Sequence, residues 1–258
     1  YRDLHKFYLA FKAKHFLVIG ARTRVGKTTF AVNLARDFLK EQIPVAFFSF
    51  EMTKVEIVSK LMACYFNVPH TRCASGEFNQ SEKEKVYGGF SEFSELPFFV
   101  YDKEMLTVPQ IKVELKQQAS SQDLEWGAVF VDYIQLMGRS IEHSTQEVGL
   151  ISRQLKALAR DLNCPVFGLS QLNRASTQRA NKKPSLEDLR QSGEIEQDAD
   201  GIFLLHRDDA AFPDRPPDNM ADLIIAKNRH GMSGAIKLNF NGMNSNFTGA
   251  YSFYENEY

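Results

Sequence analysis

Apolar residues along this 258-residue chain fall into short runs separated by longer amphipathic stretches. Phe16-Leu17-Val18-Ile19 comes first. VAFFSF (45–50), FFVYD (98–102), AVFVDYIQLM (128–137), PVFGLSQL (165–172), GIFLLHR (201–207) and ADLIIAKNR (221–229) follow. Runs this short, rich in β-branched and aromatic residues, predict buried strands. Between the early runs apolar positions recur at helical spacing, as at Phe30, Ala31, Leu34, Ala35, Phe38 and Leu39. Capping-box pairs mark helix starts at Thr53 with Glu56, Ser81 with Glu84, and Ser144 with Glu147. Strands alternating with helices predict an α/β fold, a mainly parallel sheet flanked by helices. After Ala221 the pattern shortens: AIKLNF and a Gly/Asn-rich tail predict antiparallel edge hairpins near the C-terminus. The polar stretches 67–80, 138–144, 173–184 and 208–220 are the expected loops.

Composition narrows this only a little. With 43% hydrophobic and 24% charged residues the chain suits a single compact domain over 1–258. A net charge of −1 advertises no basic surface for nucleic acid or membrane, although a few well-placed Arg or Lys in a ring would suffice. No apolar run approaches the roughly 20 residues of a membrane helix, and no signal peptide opens the chain. Cys64, Cys73 and Cys164 lack CxxC spacing and read as reduced, buried thiols of a cytoplasmic protein. A metal site from His70, Cys64 and Cys73 is a remote alternative. The chain begins at Tyr1, not Met, so a preceding segment is expected.

The stretch ARTRVGKTTF (21–30) carries the most specific chemistry. Phosphate loops follow G-x-x-x-x-G-K-[ST] between a strand and a helix, and both flanks are present here. Ala21 stands where that pattern has its first glycine, but a methyl group at the loop entry need not block the amides beyond it. Ala21, Arg22, Thr23, Arg24, Val25, Gly26, Lys27, Thr28 and Thr29 would cradle the phosphates of ATP on free N–H groups at a helix start. Lys27 would reach the β/γ-phosphates and Thr28 would place its hydroxyl on Mg²⁺. Ligands of a parallel sheet sit outside the strands' carboxyl ends, which directs attention to polar residues ending the other runs. Asp132 after Val129-Phe130-Val131 is the expected Mg²⁺ acid. Glu51 ends VAFFSF and is either a base for the attacking water or an acid that favours the helix start at Thr53. Gln171 ends PVFGLS, placed to sense a γ-phosphate or merely to close a strand.

Five further blocks follow the phosphate loop in order: F-S-F-E-M (48–52), F-V-D-Y-I-Q-L (130–136), L-S-Q-L-N-R (169–174), D-L-R-Q-S-G-E-I-E-Q-D-A-D (188–200) and A-K-N-R-H-G (226–231). Together they resemble the C-terminal motor domain of DnaB-type replicative DNA helicases, a RecA-like P-loop NTPase, over nearly the whole chain. The family's usual A-R-P-S-M-G-K-T is similar to A-R-T-R-V-G-K-T here, so Ala21 is ordinary for it, while Arg24 and Val25 depart. The resemblance implies Glu51 as the water-activating base, Asp132 as the Mg²⁺ acid and Gln171 as the γ-phosphate sensor. It makes Arg229, assisted by Lys227, the arginine finger offered to a neighbouring subunit's ATP. It places Arg190, Gln191 and Gly193 in a pore loop that grips single-stranded DNA, with Gln191 commonly an acid in the family. It also implies a homo-oligomer, a hexameric ring translocating 5′→3′, with primase and a helicase loader as partners. The family's N-terminal domain has no counterpart in this sequence. The alternatives are another RecA-like ATPase of recombinase type, or a nucleotide-binding assembly factor that never unwinds DNA.

Overall fold

The computed structural model describes residues 12–103, 106–137, 145–173, 182–212 and 218–254, with backbone alone at 145, 190–192 and 250–254. The apolar runs become strands β1 (Phe16–Ala21), β2 (Val45–Ser49), β3 (Phe98–Tyr101), β4 (Ala128–Asp132), β5 (Val166–Gln171), β6 (Gly201–His206) and β7 (Met220–Asn228). The C-terminal runs give β8 (Gly234–Asn241) and β9 (Asn246–Tyr254). Among the described residues they form one sheet of order β3-β2-β4-β5-β1-β6-β7-β8-β9. The first six in that order run parallel, and β7, β8 and β9 are antiparallel additions. Strands covered on both faces need apolar residues at every position, which is why β1, β2, β4 and β6 read as continuous runs. Their side chains still alternate: Leu17, Ile19 and Ala21 enter one core, Phe16 and Val18 the other.

Helices α1 (Lys27–Lys40) and α2 (Lys54–Phe66) cover one face. Two more elements, α3 (His70–Ser75) and α4 (Gln80–Ser94), follow α2. The opposite face is covered by α5 (Val108–Gln122), α6 (Thr145–Leu162) and α7 (Gly193–Asp198). A short α8 (Asp208–Ala211) follows β6. The Thr53/Glu56 capping box forms as expected. The Ser81/Glu84 box does not. Asn79 caps α4 instead, its Oδ1 accepting from Glu82 N at 2.9 Å while Glu82 Oε2 accepts from Asn79 N at 2.9 Å. Glu82 also takes an ion pair from Arg72 at 2.7 Å, which ties the cap to α3 and fixes the start two residues earlier. Ser144 lies outside the described residues, as do the expected loop 138–144 and most of 173–184. Two expected loops contain helix: α3 interrupts 67–80 and α8 opens 208–220. Cys64 and Cys164 are buried, which raises their thiols to about 11 and about 12, whereas Cys73 is only partly buried.

The C-terminal hairpin is more than an edge decoration. Its turn folds over α1, where Asn33 Nδ2 donates to Ser245 O at 2.8 Å and Asn33 Oδ1 accepts from Phe247 N at 3.0 Å. Arg36 donates to Asn246 Oδ1 at 2.7 Å, and the Phe30 and Phe247 rings meet edge to face at 5.6 Å. The helix that begins at the phosphate loop is thereby braced by the far end of the chain.

Candidate nucleotide-binding site

β1 is central in the sheet, and the loop 22–26 leaves its carboxyl end to start α1. Two residues there have left-handed backbones, Arg24 with φ 67° and Gly26 with φ 108°. Gly26 is the N-cap, and its φ favours glycine, while a Cβ there would sit tightly, 3.3 Å from Phe247 Cζ. No side chain caps α1 and no acid occupies its first turn. By contrast α2 and α4 carry complete capping boxes. The start of α1 thus keeps its donors and its dipole for an anion supplied from outside.

Two charged side chains and a hydroxyl meet beneath this loop. Asp132, at the end of β4, is fully buried. Its Oδ2 accepts from Thr28 Oγ1 at 2.5 Å. Its Oδ1 makes no hydrogen bond, although Lys27 Nζ lies 3.2 Å away as an ion pair. Lys27 also sits over the Tyr133 ring, 4.1 Å from its centroid. A buried carboxylate oxygen lacking a hydrogen bond beside a threonine hydroxyl suits Mg²⁺. That ion takes one or two protein oxygens and completes its shell with water and phosphate. Among the described residues no group of three or more His, Cys, Asp or Glu converges on a point. Water and phosphate oxygens would have to supply the rest of the shell.

Gln171, exposed at the end of β5, donates from Nε2 to Thr23 Oγ1 at 2.9 Å, directly onto the phosphate loop. Gln135, which sequence reasoning left without a role, joins it to β4. Gln135 Nε2 donates to Ser170 Oγ at 2.9 Å and Gln171 O at 3.2 Å, and its Oε1 accepts from Gln171 N at 3.3 Å. Glu51 is exposed just past β2, where Phe50 N donates to Asp132 O at 2.8 Å. Burial raises the Tyr133 hydroxyl's pKa, and the charges of Glu51 and Asp132 raise it further. The start of α2 has no need of Glu51: Thr53 and Glu56 cap it, and Asp102 accepts from Lys54 N at 2.8 Å. The cap of α2 is therefore complete without Glu51.

Arg207, also missed, directly follows β6 and donates to Val25 O at 3.4 Å. It pairs with Asp209 at 2.6 Å and stacks on the Phe240 ring at 3.9 Å. The signal was available, since GIFLLHR ends on this arginine at the sheet edge that the other ligand-facing residues share.

Arg229 and Lys227 lie elsewhere. Because β7 runs antiparallel to β6, Asn228 pairs with Gly201, the first residue of β6, while the phosphate loop follows the Ala21–Leu205 level. The two levels are separated by at least roughly 13 Å of strand. Arg229 Nη1 faces Asp200 Oδ1 at 3.4 Å, and about half of the arginine side chain is exposed. Lys227 Nζ donates to Glu196 O and Gln197 O at the end of α7. Burial lowers its pKa, with nearby Arg229 adding to the effect. Arg229 therefore does not join Lys27, Glu51 and Asp132 within this chain.

Arg190 and Gln191 sit in a 3-10 segment, Leu186–Ser192, that runs straight into α7 at Gly193. This is a bracket rather than an open loop. Asp188 Oδ2 accepts from Ser185 N at 2.8 Å, Leu189 is buried, and Glu194 pairs with Arg153 of α6 at 2.9 Å. Gly193 has ordinary helical φ of −52°, and a Cβ there would meet nothing within 4 Å. Nothing inside the described fold requires that glycine.

Among the described residues no helix is long and apolar enough to cross a membrane. Residues 1–249 match the model of the DnaB-like helicase C terminal domain. Replicative DNA helicase DnaB of Leifsonia xyli subsp. xyli is 38% identical over 234 residues, covering 90% of this chain and 51% of that protein. Its namesake in Geobacillus stearothermophilus is 35% identical over 244 residues, 93% of this chain and 53% of that one. The chain thus spans about half the length of these relatives. A solved ATPase domain superposes with a TM-score of 0.86 at 32% identity, over 93% of this chain and 86% of that one. A DnaB-like replicative helicase, solved in a study of its interactions with primase, gives 0.85 at 32% identity, over 93% and 58%. Fold, phosphate loop and ordered blocks agree with these matches: the chain belongs to the DnaB-like helicase C-terminal domain family, with its RecA-like ATPase fold.

Proposed function

We propose that this chain is the ATP-driven motor of a replicative DNA helicase, working as a ring, six subunits by resemblance, on one DNA strand. The observation that carries the reading is the division of the active-site residues between opposite edges of one sheet. Lys27, Thr28, Glu51, Asp132 and Gln171 gather at the carboxyl edge, whereas Arg229 points from the amino edge. A second copy that docks its amino edge on this carboxyl edge completes the site.

Phosphoryl transfer needs positioning and charge stabilisation more than covalent chemistry. The bare start of α1 and Lys27 bind the triphosphate, and Gln171 links the γ-phosphate position to the loop through Thr23. Thr28 and Asp132 would hold Mg²⁺, which when bound neutralises charge on the β- and γ-phosphates. Glu51 accepts the proton of the attacking water, and the neighbour's Arg229 stabilises the transition-state charge. Single-stranded DNA passes the 186–193 bracket, where Arg190, Gln191 and the side-chain-free surface at Gly193 meet the phosphate backbone without reading sequence. Movement 5′→3′ and contacts of the longer protein with primase and a loader belong to the same reading.

ATP turnover with and without single-stranded DNA, together with unwinding of a forked duplex, tests it. Stimulation and unwinding are expected. Hydrolysis indifferent to DNA favours an assembly factor, and strand exchange without unwinding favours a recombinase.

A further inference from the structure

The amino edge carries a cluster that phosphate chemistry alone does not explain. Asp200, the last residue of the Asp188–Asp200 block, is 4% exposed and lies between α7 and β6. Its backbone N donates to Phe16 O at 2.8 Å, and its Oδ2 accepts from Phe16 N at 2.8 Å, locking it to the start of β1. Its backbone O accepts from Arg229 N at 2.8 Å, and Lys156 of α6 pairs with the same Oδ2. Oδ1 is the atom left facing the Arg229 guanidinium, at 3.4 Å. Just before the arginine in the chain, Lys227 holds the carbonyls that end α7. The turn after the arginine is pinned as well, since His230 stacks on His15 at 4.9 Å between centroids. Burial pushes the Asp200 carboxyl up, but the Lys156 and Phe16 bonds outweigh it, so the group titrates below its ordinary value and remains an anion.

A finger that must reach another subunit needs a fixed base and a head that can leave. The backbone bond from Arg229 N to Asp200 O, with Asp200 itself locked to β1, fixes the base here, and the long Oδ1–Nη1 contact holds the head weakly. We propose that Asp200 is a positioning residue for Arg229, seating the arginine that acts on the neighbouring subunit's nucleotide. The inference rests on the shared-site reading above. The seat is continuous with the DNA-facing segment, because α7 ends just before Asp200 and Lys227 bridges the two. Displacing the finger by even about 1 Å is enough to cost up to about 10²-fold in rate.

The test exploits the two-chain site. Mixed rings of Arg229→Ala and Glu51→Gln chains contain complete sites, in which the Glu51→Gln chain donates the finger and the Arg229→Ala chain supplies the base. Asp200→Asn is added first to the finger donor, then in a separate mixture to the base donor, and ATP turnover is compared. The proposal expects a loss of about 10-fold or more in the first placement and less than about 2-fold in the second. Equal loss in both placements would make Asp200 a stability residue and overturn the proposal, as would no loss in either. If Asp200→Asn does not fold, Lys156→Met replaces it, with the same asymmetry expected because Asp200 loses the ammonium that positions its carboxylate under Arg229. Failure of the parental mixture to recover turnover, despite proven subunit exchange, refutes the shared site itself. That outcome is distinguishable from failure of the seat, which leaves the parental recovery intact.

Discussion

The two edges of this sheet handle charge in opposite ways. At the carboxyl edge, the start of α1 is left without a side-chain cap and Asp132 keeps an oxygen that makes no hydrogen bond. At the amino edge every atom of Asp200 that can accept is engaged, by Phe16, Lys156 and Arg229. The first edge waits for a ligand, and the second is already satisfied internally while holding an arginine half in solvent. Both follow from topology. Parallel strands send their helix starts to one side, and one antiparallel strand, β7, carries its last residues back to the other. A site needing groups from both edges cannot close within one chain. It can close only between two.

The comparison is broken most severely at Lys27. Lys27→Ala removes the cation facing the phosphates and leaves Asp132 buried without its ion-pair partner. ATP turnover should fall to background, measured as phosphate release. Wild-type turnover in this variant would move the site away from the loop.

Glu51→Gln separates chemistry from binding at the same edge. The amide keeps the shape but cannot take a proton, so turnover should drop by about 10²–10⁴, the usual worth of a general base. Nucleotide affinity, read by titration with a fluorescent analogue, should hold. Parallel loss of affinity would give Glu51 a binding role instead.

Arg190→Ala sharpens the contrast on the DNA side. Affinity for single-stranded DNA should weaken to a similar extent for every sequence. The slope of log affinity against log salt should become shallower by about 0.7, the loss of one phosphate contact on a single strand. A salt titration with an unchanged slope would take Arg190 out of the DNA path.

The smallest expected effect is on acid stability. Asp200 and Asp222 both titrate below the ordinary carboxyl value of 3.8. Burial opposes this in each case, and is outweighed at Asp200 by Lys156 and the Phe16 amide, at Asp222 by Lys237 and Lys183. A depressed carboxyl contributes its full stability above the unfolded pKa and loses it as pH falls through the folded value. Thermal midpoints should therefore be insensitive to these groups near neutral pH and decline below about pH 4, less steeply in Asp200→Asn. An identical acid profile in that variant would remove Asp200 from the linkage.

What the sequence disclosed was governed by how local each feature is. Strands buried on both faces announce themselves as unbroken apolar runs, and the phosphate loop is a contiguous string with fixed flanks, so both could be read directly. Asp132 and Gln171 were legible because strand ends in a parallel sheet converge. Gln135 and Arg207 were not picked out, since their roles rest on contacts with residues 36 and 182 positions away. The α4 start was misplaced by two residues because Asn79 wins the cap with help from Glu82 and, through it, Arg72. The sequence did not disclose the partners on α6, Arg153 for Glu194 and Lys156 for Asp200, because no local pattern encodes that packing.

The central claim, that one active site draws on two chains, is tested most directly by mixing Arg229→Ala with Glu51→Gln. Alone, each should be nearly inactive, since a missing arginine finger costs on the order of 10³–10⁵ in comparable enzymes. After subunit exchange is confirmed by native mass spectrometry, ATP turnover of the mixture is measured against that of each parent. The account predicts recovery of part of the wild-type rate, from sites where an intact Glu51 faces a neighbour's intact Arg229. A mixture no more active than its parents, despite exchange, would contradict it.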